Sequence, residues 1–385
     1  MELIELGTIL HMKKGKKPQA QSKQPSEGYL PYVDIKAFEQ CVIDNYATTE
    51  KSLLCEDGDL LIVCDGSRSG LTGRAIKGVV GSTLSKIYAD GLTTEYLRYF
   101  IQSKYTLLNT QKKGTGTPHL NANILKASKL VVPPLEEQER IVARIEELFS
   151  SLDNGVETLK KTKEQLAVYR QAVLKEAFGG EWNYEKANIL CEFITKGTTP
   201  PKTKMYSGKG EIPFIKVYNL TFNTQLDFRV EPTYVDKKTH ENFLARSKVF
   251  PGDVLMNIVG PPMGKVSIVP NTYSEWNINQ AIARFRCKDR IYNKFLAYYL
   301  SFAETVEQMK KKSKATAGQF NLTLEICREL LIPVPDIEEQ YNIVFRIDEH
   351  LSMCDSIEKI VDTALAQAEA MRQSVLKEAF EGRLA

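Results

Sequence analysis

Apolar positions along this chain follow two distinct rhythms. Over Glu136–Phe178 they recur every three or four residues, as Ile141, Ile145, Leu148, Leu152, Val156 and Leu159, continuing through Leu166, Tyr169 and Val173. That spacing draws one stripe on a helix. Pro133-Pro134 and an acidic first turn precede the stripe and Gly179-Gly180 follows it, which fits a helix start and stop. A second stripe runs through Ile343, Ile347, Leu351, Cys354, Ile357, Val361, Leu365, Ala368, Met371 and Val375, with Gly382 near its end. At ~1.5 Å per residue each helix is about 65 Å long. A one-stripe helix of that length is not stable alone in water. Either the two stripes bury each other as an antiparallel coiled coil, or each helix docks on its own globule. The matched lengths favour the pair.

Between the stripes the rhythm shortens to strand-like runs: Tyr32–Ile35, Leu60–Cys64, Leu130–Val132, Phe214–Val217, Val254–Val259 and Val266–Val269. Amphipathic helical stretches, Thr94–Tyr105 and Asn293–Met309, alternate with them. The mixture predicts two α/β globules, of mixed α+β character.

The two halves are copies. Glu136–Gly180 aligns without a gap on Glu338–Gly382, with 20 identities in 45 positions, among them EEQ, IV-RI and VLKEAF. Weaker echoes extend into the globules. Pro31–Ile35 matches Pro213–Val217, Asp57–Leu61 matches Pro251–Leu255, and Gly116–Leu120 matches Gly318–Leu322. The offset grows from 182 to 202, so the second globule holds about 20 extra residues. The expected division is a first globule over 1–132, a long helix over 133–180, a second globule over 181–334 and a second long helix over 335–385. The whole reads as a pseudo-two-fold tandem repeat.

Charge follows the same division. The net charge of +3 resolves into +4 for residues 1–135, −2 for 136–180, +7 for 181–335 and −6 for 336–385. Basic globules suit a polyanion such as nucleic acid, and acidic helices do not suit lying on phosphate. Seven cysteines at irregular positions make no disulfide framework, and no apolar run reaches the ~18 residues of a membrane span. The N-terminal basic cluster follows its apolar stretch, the reverse of a secretory signal. The expectation is a cytoplasmic protein with no membrane contact.

VPPLEEQ-x-x-IV-x-RI with QAVLKEAFGG, echoed by PVPDIEEQ-x-x-IV-x-RI with QSVLKEAFEG, resembles the specificity subunit of type I restriction-modification systems. The resemblance covers the whole chain in the same order of globule and helix. It implies two target-recognition domains, each reading one half of a bipartite site in double-stranded DNA, and a coiled coil that sets the gap. It further implies no catalysis by this chain and no cofactor bound to it. Two methyltransferase subunits using S-adenosylmethionine would modify adenine N6, and motor-endonuclease subunits using ATP and Mg would join for restriction. The residues themselves point the same way, since two related globules on a rod present two reading heads. Heads on one face of a duplex need separations near one helical turn, ~34 Å. Because the globules share a framework and not their loops, the site should be asymmetric.

Candidate contacts lie in the basic loops. Lys13, Lys14, Lys16 and Lys17 form a compact cluster suited to phosphates, matched by Lys196 and Lys202 in the second copy. Lys112, Lys113 and Thr115 precede the run into the first long helix, and Lys311, Lys312 and Lys314 stand at the equivalent place. Small residues in such loops let backbone N–H groups approach phosphate. Ser67 and Arg68 sit in a Gly/Ser turn from which a guanidinium can reach guanine or, equally, pair with a local carboxylate, and the corresponding loop offers Lys265. Asn277, Asn279 and Gln280 have the chemistry to pair with adenine edges, or equally to cap a turn. Tyr29, Tyr206, Tyr218 and Trp276 fit stacking or, more ordinarily, packing.

Signatures of chemistry are missing from the sequence. There is no Cys-x-x-Cys pair, the four histidines lack zinc-ligand spacing, and no phosphate-loop or amino-methyltransferase element is present. A metal-free reading follows. Two other classes stay open at this point: a coiled-coil scaffold with basic globules for RNA or another acidic partner, and an enzyme with an unrecognised site.

Overall fold

In a computed structural model of the chain, the structure describes residues 3–40, 42–114, 118–313, 315–316 and 319–383, with 315–316 and 319–320 as backbone alone. The chain forms two compact units, Met1–Lys160 with Asp362–Ala385, and Lys161–Val361.

The first unit holds a four-stranded antiparallel sheet in the order Leu10–Lys14, Leu84–Ala89, Leu60–Val63, Thr72–Arg74. A five-stranded sheet runs Gln21–Ser22, Tyr46–Thr48, Tyr29–Val33, Gly78–Val80, Leu54–Cys55, with one parallel pairing at its centre. Leu60–Val63 is apolar at every position because both its faces are covered. Leu60 and Ile62 point into the core that holds the helix Thr94–Ser103, while Leu61 and Val63 point into the core of Val33, Val80 and Leu84. Leu3–Glu5 pairs antiparallel with Lys129–Val131, which leads into the first long helix.

The second unit repeats this plan strand for strand. Cys191–Lys196, Ile282–Cys287, Val254–Asn257 and Val266–Ile268 form the four-stranded sheet. Tyr206–Ser207, Thr233–Val235, Ile212–Ile215, Trp276–Ile278 and Lys248–Val249 form the five-stranded one, again with a single parallel pair. Tyr184–Lys186 pairs with Leu331–Pro333. The additional residues of this copy enter at several loops, so the offset climbs in steps from strand to strand.

Local chemistry repeats as well. Gly58 and Gly252 turn at φ +86° and +90°, and the following aspartates cap the turn, Asp59 accepting from Glu56 N at 2.7 Å and Asp253 from Phe250 N at 2.9 Å. Gly15 and Gly197 are needed for another reason. A Cβ there would sit 2.3 Å from Gly81 O or 2.1 Å from Ile278 O.

The long helices span Leu135–Phe178 and Ile337–Phe380. In the first unit Ile141, Ile145 and Phe149 pack with Leu376, Ala379, Phe380 and Tyr99, and Arg372 pairs with Asp153. In the second, Lys163 meets Glu358 at 3.7 Å, Arg170 meets Asp355 at 2.7 Å, and Phe178 shares a core with Ile343 and Ile347. Within each unit residue numbers rise on one helix as they fall on the other, so the helices run antiparallel. Both ways of burying the stripes are in use, since each helix half also rests on its globule. Gly382, at φ +73°, closes the second helix.

Three expectations change. Asn293–Met309 is not one helix: Asn293–Ser301 and Ala303–Lys312 meet at Phe302, whose backbone is extended and whose ring lies 6.0 Å from that of Phe178. The strands at Tyr32 and Phe214 stop before Ile35 and Val217. Asp34 accepts from Ala37 N at 2.9 Å and starts the helix Ile35–Gln40, and Asn219 accepts from Lys216 N at 2.9 Å and starts a 3-10 turn. Lys311 and Lys312 are not in a loop but in the last helical turn, where cations suit the negative end of the dipole.

Candidate nucleic-acid interface

In the first unit, the strand Leu60–Val63 turns into Thr72–Arg74 through a hairpin whose glycines, Gly66 and Gly70, both take positive φ. Ser67 and Arg68 stand exposed at its tip. The Ser67 carbonyl accepts from Lys112 Nζ at 2.7 Å and Asn109 Nδ2 at 2.9 Å, so the Lys112 loop is tied to the hairpin. Lys113 and His119 exchange backbone hydrogen bonds of 2.9 and 2.8 Å. Asp65 accepts from Lys14 Nζ at 2.7 Å and lies 2.7 Å from His119 Nδ1. Burial alone would raise the Asp65 carboxyl, but the hydrogen bonds from Lys14 and His119 outweigh it and hold the group below the ordinary carboxylate range. Arg68 forms an ion pair with Glu39. Residues 14, 67, 68, 112 and 113 are thus drawn together from three segments. Lys13, Lys16 and Lys17 lie exposed beside Gly15, and none has an ion pair among the described residues. Thr115 and Lys314 lie outside the described residues.

The second unit keeps the frame and changes the tips. Gly260 and Gly264 occupy the hairpin positions of Gly66 and Gly70, again at positive φ, but Pro261-Pro262-Met263 stands between them. Pro262 therefore occupies the place of Arg68. Lys265 follows the second glycine, half-buried, with its ammonium 5.9 Å from the Phe222 ring centre. Lys196 and Lys202 are exposed at the strand end and loop matching Lys14 and its neighbours. Asn279 is half-buried and its Oδ1 caps Ala281 N at 3.2 Å, while exposed Gln280 bonds Thr199.

Asn277 departs from expectation. It is fully buried, with Nδ2 2.7 Å from His240 Nδ1, and offers nothing to a base edge. Trp276 is likewise core, edge-on to Phe228 and Tyr273. His240, Glu241 and Glu275 cluster at metal-like distances. Lys248 Nζ already stands 2.8 Å from Glu241 and 3.7 Å from Glu275, so an ammonium supplies the positive charge there.

Sequence reasoning passed over Glu39, Asp65, Asn109 and His119. Asp65 and His119 flank loops it did single out, so their proximity to basic residues was the available signal. It also missed why the helix entries read Glu-Glu-Gln. Gln138 is wholly buried. Its Oε1 accepts from Thr93 N at 2.8 Å, and its Nε2 donates to Gly91 O at 2.7 Å and Pro133 O at 2.9 Å. Gln340 repeats this with Tyr292 N at 2.8 Å, Arg290 O at 3.0 Å and Pro335 O at 2.9 Å.

Two repeated α/β units, each with a basic-edged sheet and an antiparallel pair of helix segments, define a class of tandem recognition proteins. A family model for the type I restriction modification DNA specificity domain matches residues 1–167 and again 180–366. The chain belongs to that family. It is 24% identical to the type I restriction enzyme MjaVIII specificity subunit of Methanocaldococcus jannaschii, over 100% of this chain and 92% of that protein. It is 28% identical to the EcoBI specificity subunit of Escherichia coli, over 85% and 73% of the respective chains. Its fold is similar to a solved chain of a type I R-M system, studied for complex assembly and conformational transition. The TM-score is 0.73 at 21% identity, covering 99% of this chain and 98% of that one. The HsdS subunit from Thermoanaerobacter tengcongensis aligns with a TM-score of 0.50 at 19% identity, over 99% and 97%. Among the described residues no helix is long and apolar enough to cross a membrane.

Proposed function

We propose that this chain is the DNA-reading subunit of a type I restriction-modification complex and carries no catalysis of its own. Each globule takes one half of a bipartite, asymmetric site in double-stranded DNA. The long helices set the gap between the half-sites and dock two adenine-N6 methyltransferase subunits. Those partners use S-adenosylmethionine, and motor-endonuclease subunits use ATP and Mg. This chain binds none of these cofactors.

The observation that carries the reading is a shared frame with unlike tips. Matching hairpins, Gly66–Gly70 and Gly260–Gly264, hold Arg68 in one copy and Pro262 in the other. A common frame meets the duplex in a common way, and unlike tips read unlike bases. The basic strand-end residues Lys13, Lys14, Lys16, Lys17, Lys196 and Lys202 serve the phosphates. Lys112, Lys113, Lys311 and Lys312 do the same from the helix-side segments, and Lys265, Asn279 and Gln280 line the second reading edge.

Mapping N6-methyladenine across the genome of the source cell, with and without this gene, tests the proposal. A gapped bipartite motif that vanishes with the gene is the expected result. An unchanged methylome would overturn it.

A further inference from the structure

Each copy keeps lysines on its basic edge that are unpaired among the described residues, Lys13, Lys16 and Lys17 in the first and Lys196 and Lys202 in the second, but the two treat the bases at the hairpin differently. In the first unit Lys14 is held by Asp65 and Arg68 by Glu39. The carboxylates are the sheltered partners, with side chains 17% and 23% exposed against 51% and 52% for the bases. In the second unit the isolated bridge that joins Asp65 to His119 is matched by one joining Val259 to Asn321, so neither the carboxylate nor the imidazole is present. The short helix that carries Glu39 is replaced by the 3-10 turn Val217–Asn219. Among the described residues no carboxylate pairs with Lys196, Lys202, Lys265, Lys311 or Lys312. The net charges of the two segments, +4 and +7, follow the same asymmetry.

We propose that Glu39 and Asp65 are specificity-determining residues: they keep Lys14 and Arg68 in internal pairs that random DNA must break, while the unpaired lysines of the two copies supply the sequence-independent grip. This rests on the DNA-reading function proposed above. A base held by a carboxylate must give up that pair before it can neutralise a phosphate and release the counterion condensed there, so it gains little from a phosphate alone. Only a half-site that adds base-edge contacts repays opening the pair. The unpaired lysines, Lys13, Lys16 and Lys17 in the first copy and Lys196 and Lys202 in the second, meet any phosphate without that cost. Phosphate binding is then permissive while the reading hairpin of the first globule is gated, which suppresses capture on DNA that lacks its half-site.

The test uses the full chain and a random-sequence duplex of roughly 30 base pairs, titrated across salt concentration. The double variant Glu39→Gln/Asp65→Asn should bind this duplex on the order of tenfold more tightly at low salt, with a slope of log K against log salt steeper by about two. Glu185→Gln, which frees Arg290 and removes the same kind of charge, should have a much smaller effect. Lys196→Gln/Lys202→Gln should weaken random-duplex binding on the order of tenfold, and Lys14→Gln/Arg68→Gln should barely change it. Glu39→Gln alone, on an exposed helix, keeps the test intact if Asp65→Asn impairs folding. Equal affinity and slope for wild type and acid variants would overturn this inference. So would equal losses from the two lysine-site variants. Failure of the wild type to bind any duplex at low salt would instead overturn the DNA-reading function itself.

Discussion

The buried glutamine at each helix entry makes a sharp prediction. Gln138 is the fourth residue of the first long helix, and its amide joins that helix to the loop before Thr94–Ser103. Thr93, whose N–H it accepts, is also the N-cap of that shorter helix, its Oγ1 taking Tyr96 N at 3.3 Å. Replacing Gln138 by Ala removes three hydrogen bonds and leaves one N–H and two carbonyls without their side-chain partner. At about 1 kcal/mol net for each bond, the loss is about 3 kcal/mol. For a unit of this size that lowers the melting temperature by about 6–12 °C. Gln138→Glu should be worse still. Its second oxygen replaces the donor and faces the carbonyls of Gly91 and Pro133, so the group must be buried as a neutral acid or expelled. Gln340→Ala should cost about the same in the second unit, where the three partners recur. Urea and thermal unfolding followed by circular dichroism read both effects. A loss below about 1 kcal/mol, or a glutamate no worse than alanine, would refute the account of the motif.

Gly197→Ala should destabilise the second unit by about 3 kcal/mol or more, because its Cβ would overlap the Ile278 and Asn279 carbonyls at 2.1 and 2.3 Å; chemical denaturation measures it. Asp65, depressed in the folded state, contributes stability above its unfolded value near about 4, and that contribution is lost as pH falls through the lower folded value. Asp65→Asn should therefore lose less stability than wild type between about pH 5 and 3, measured by urea midpoints at each pH. Inserting one heptad into both long helices adds about 10 Å of rise and should lengthen the gap of the methylated motif by about three base pairs, with both half-sites unchanged. An unaltered gap would remove the helices as the ruler.

What could be read from the sequence was what is local or copied. The three-to-four-residue stripe gives both long helices, the first within two residues of its observed bounds and the second running five residues past its observed end, because helix periodicity is a property of a continuous segment. The duplication was equally plain, since the helices retain 20 of 45 residues, and the short apolar runs marked the interior strands Tyr29–Val33, Leu60–Val63, Ile212–Ile215 and Val254–Asn257, though not Leu84–Ala89 or Ile282–Cys287. Strand order was not available, because it depends on pairings across the chain such as Ile87 with Met12 or Val33 with Val80. The break at Phe302 follows from a ring seated against Phe178, more than a hundred residues away. The basic edge shows the same limit. Lysines and arginines could be counted and placed in loops, but Lys14 and Asp65 lie 51 residues apart, and Glu39 and Arg68 lie 29 apart. Nor does Asn277 differ in sequence from an exposed asparagine; His240, brought to it by an adjoining helix, makes it core. The sequence by itself determined the elements and their repetition, which depend on neighbours along the chain. Which charges are free to meet DNA was decided only when the sheets folded, because a side chain's partner is set by distance in space.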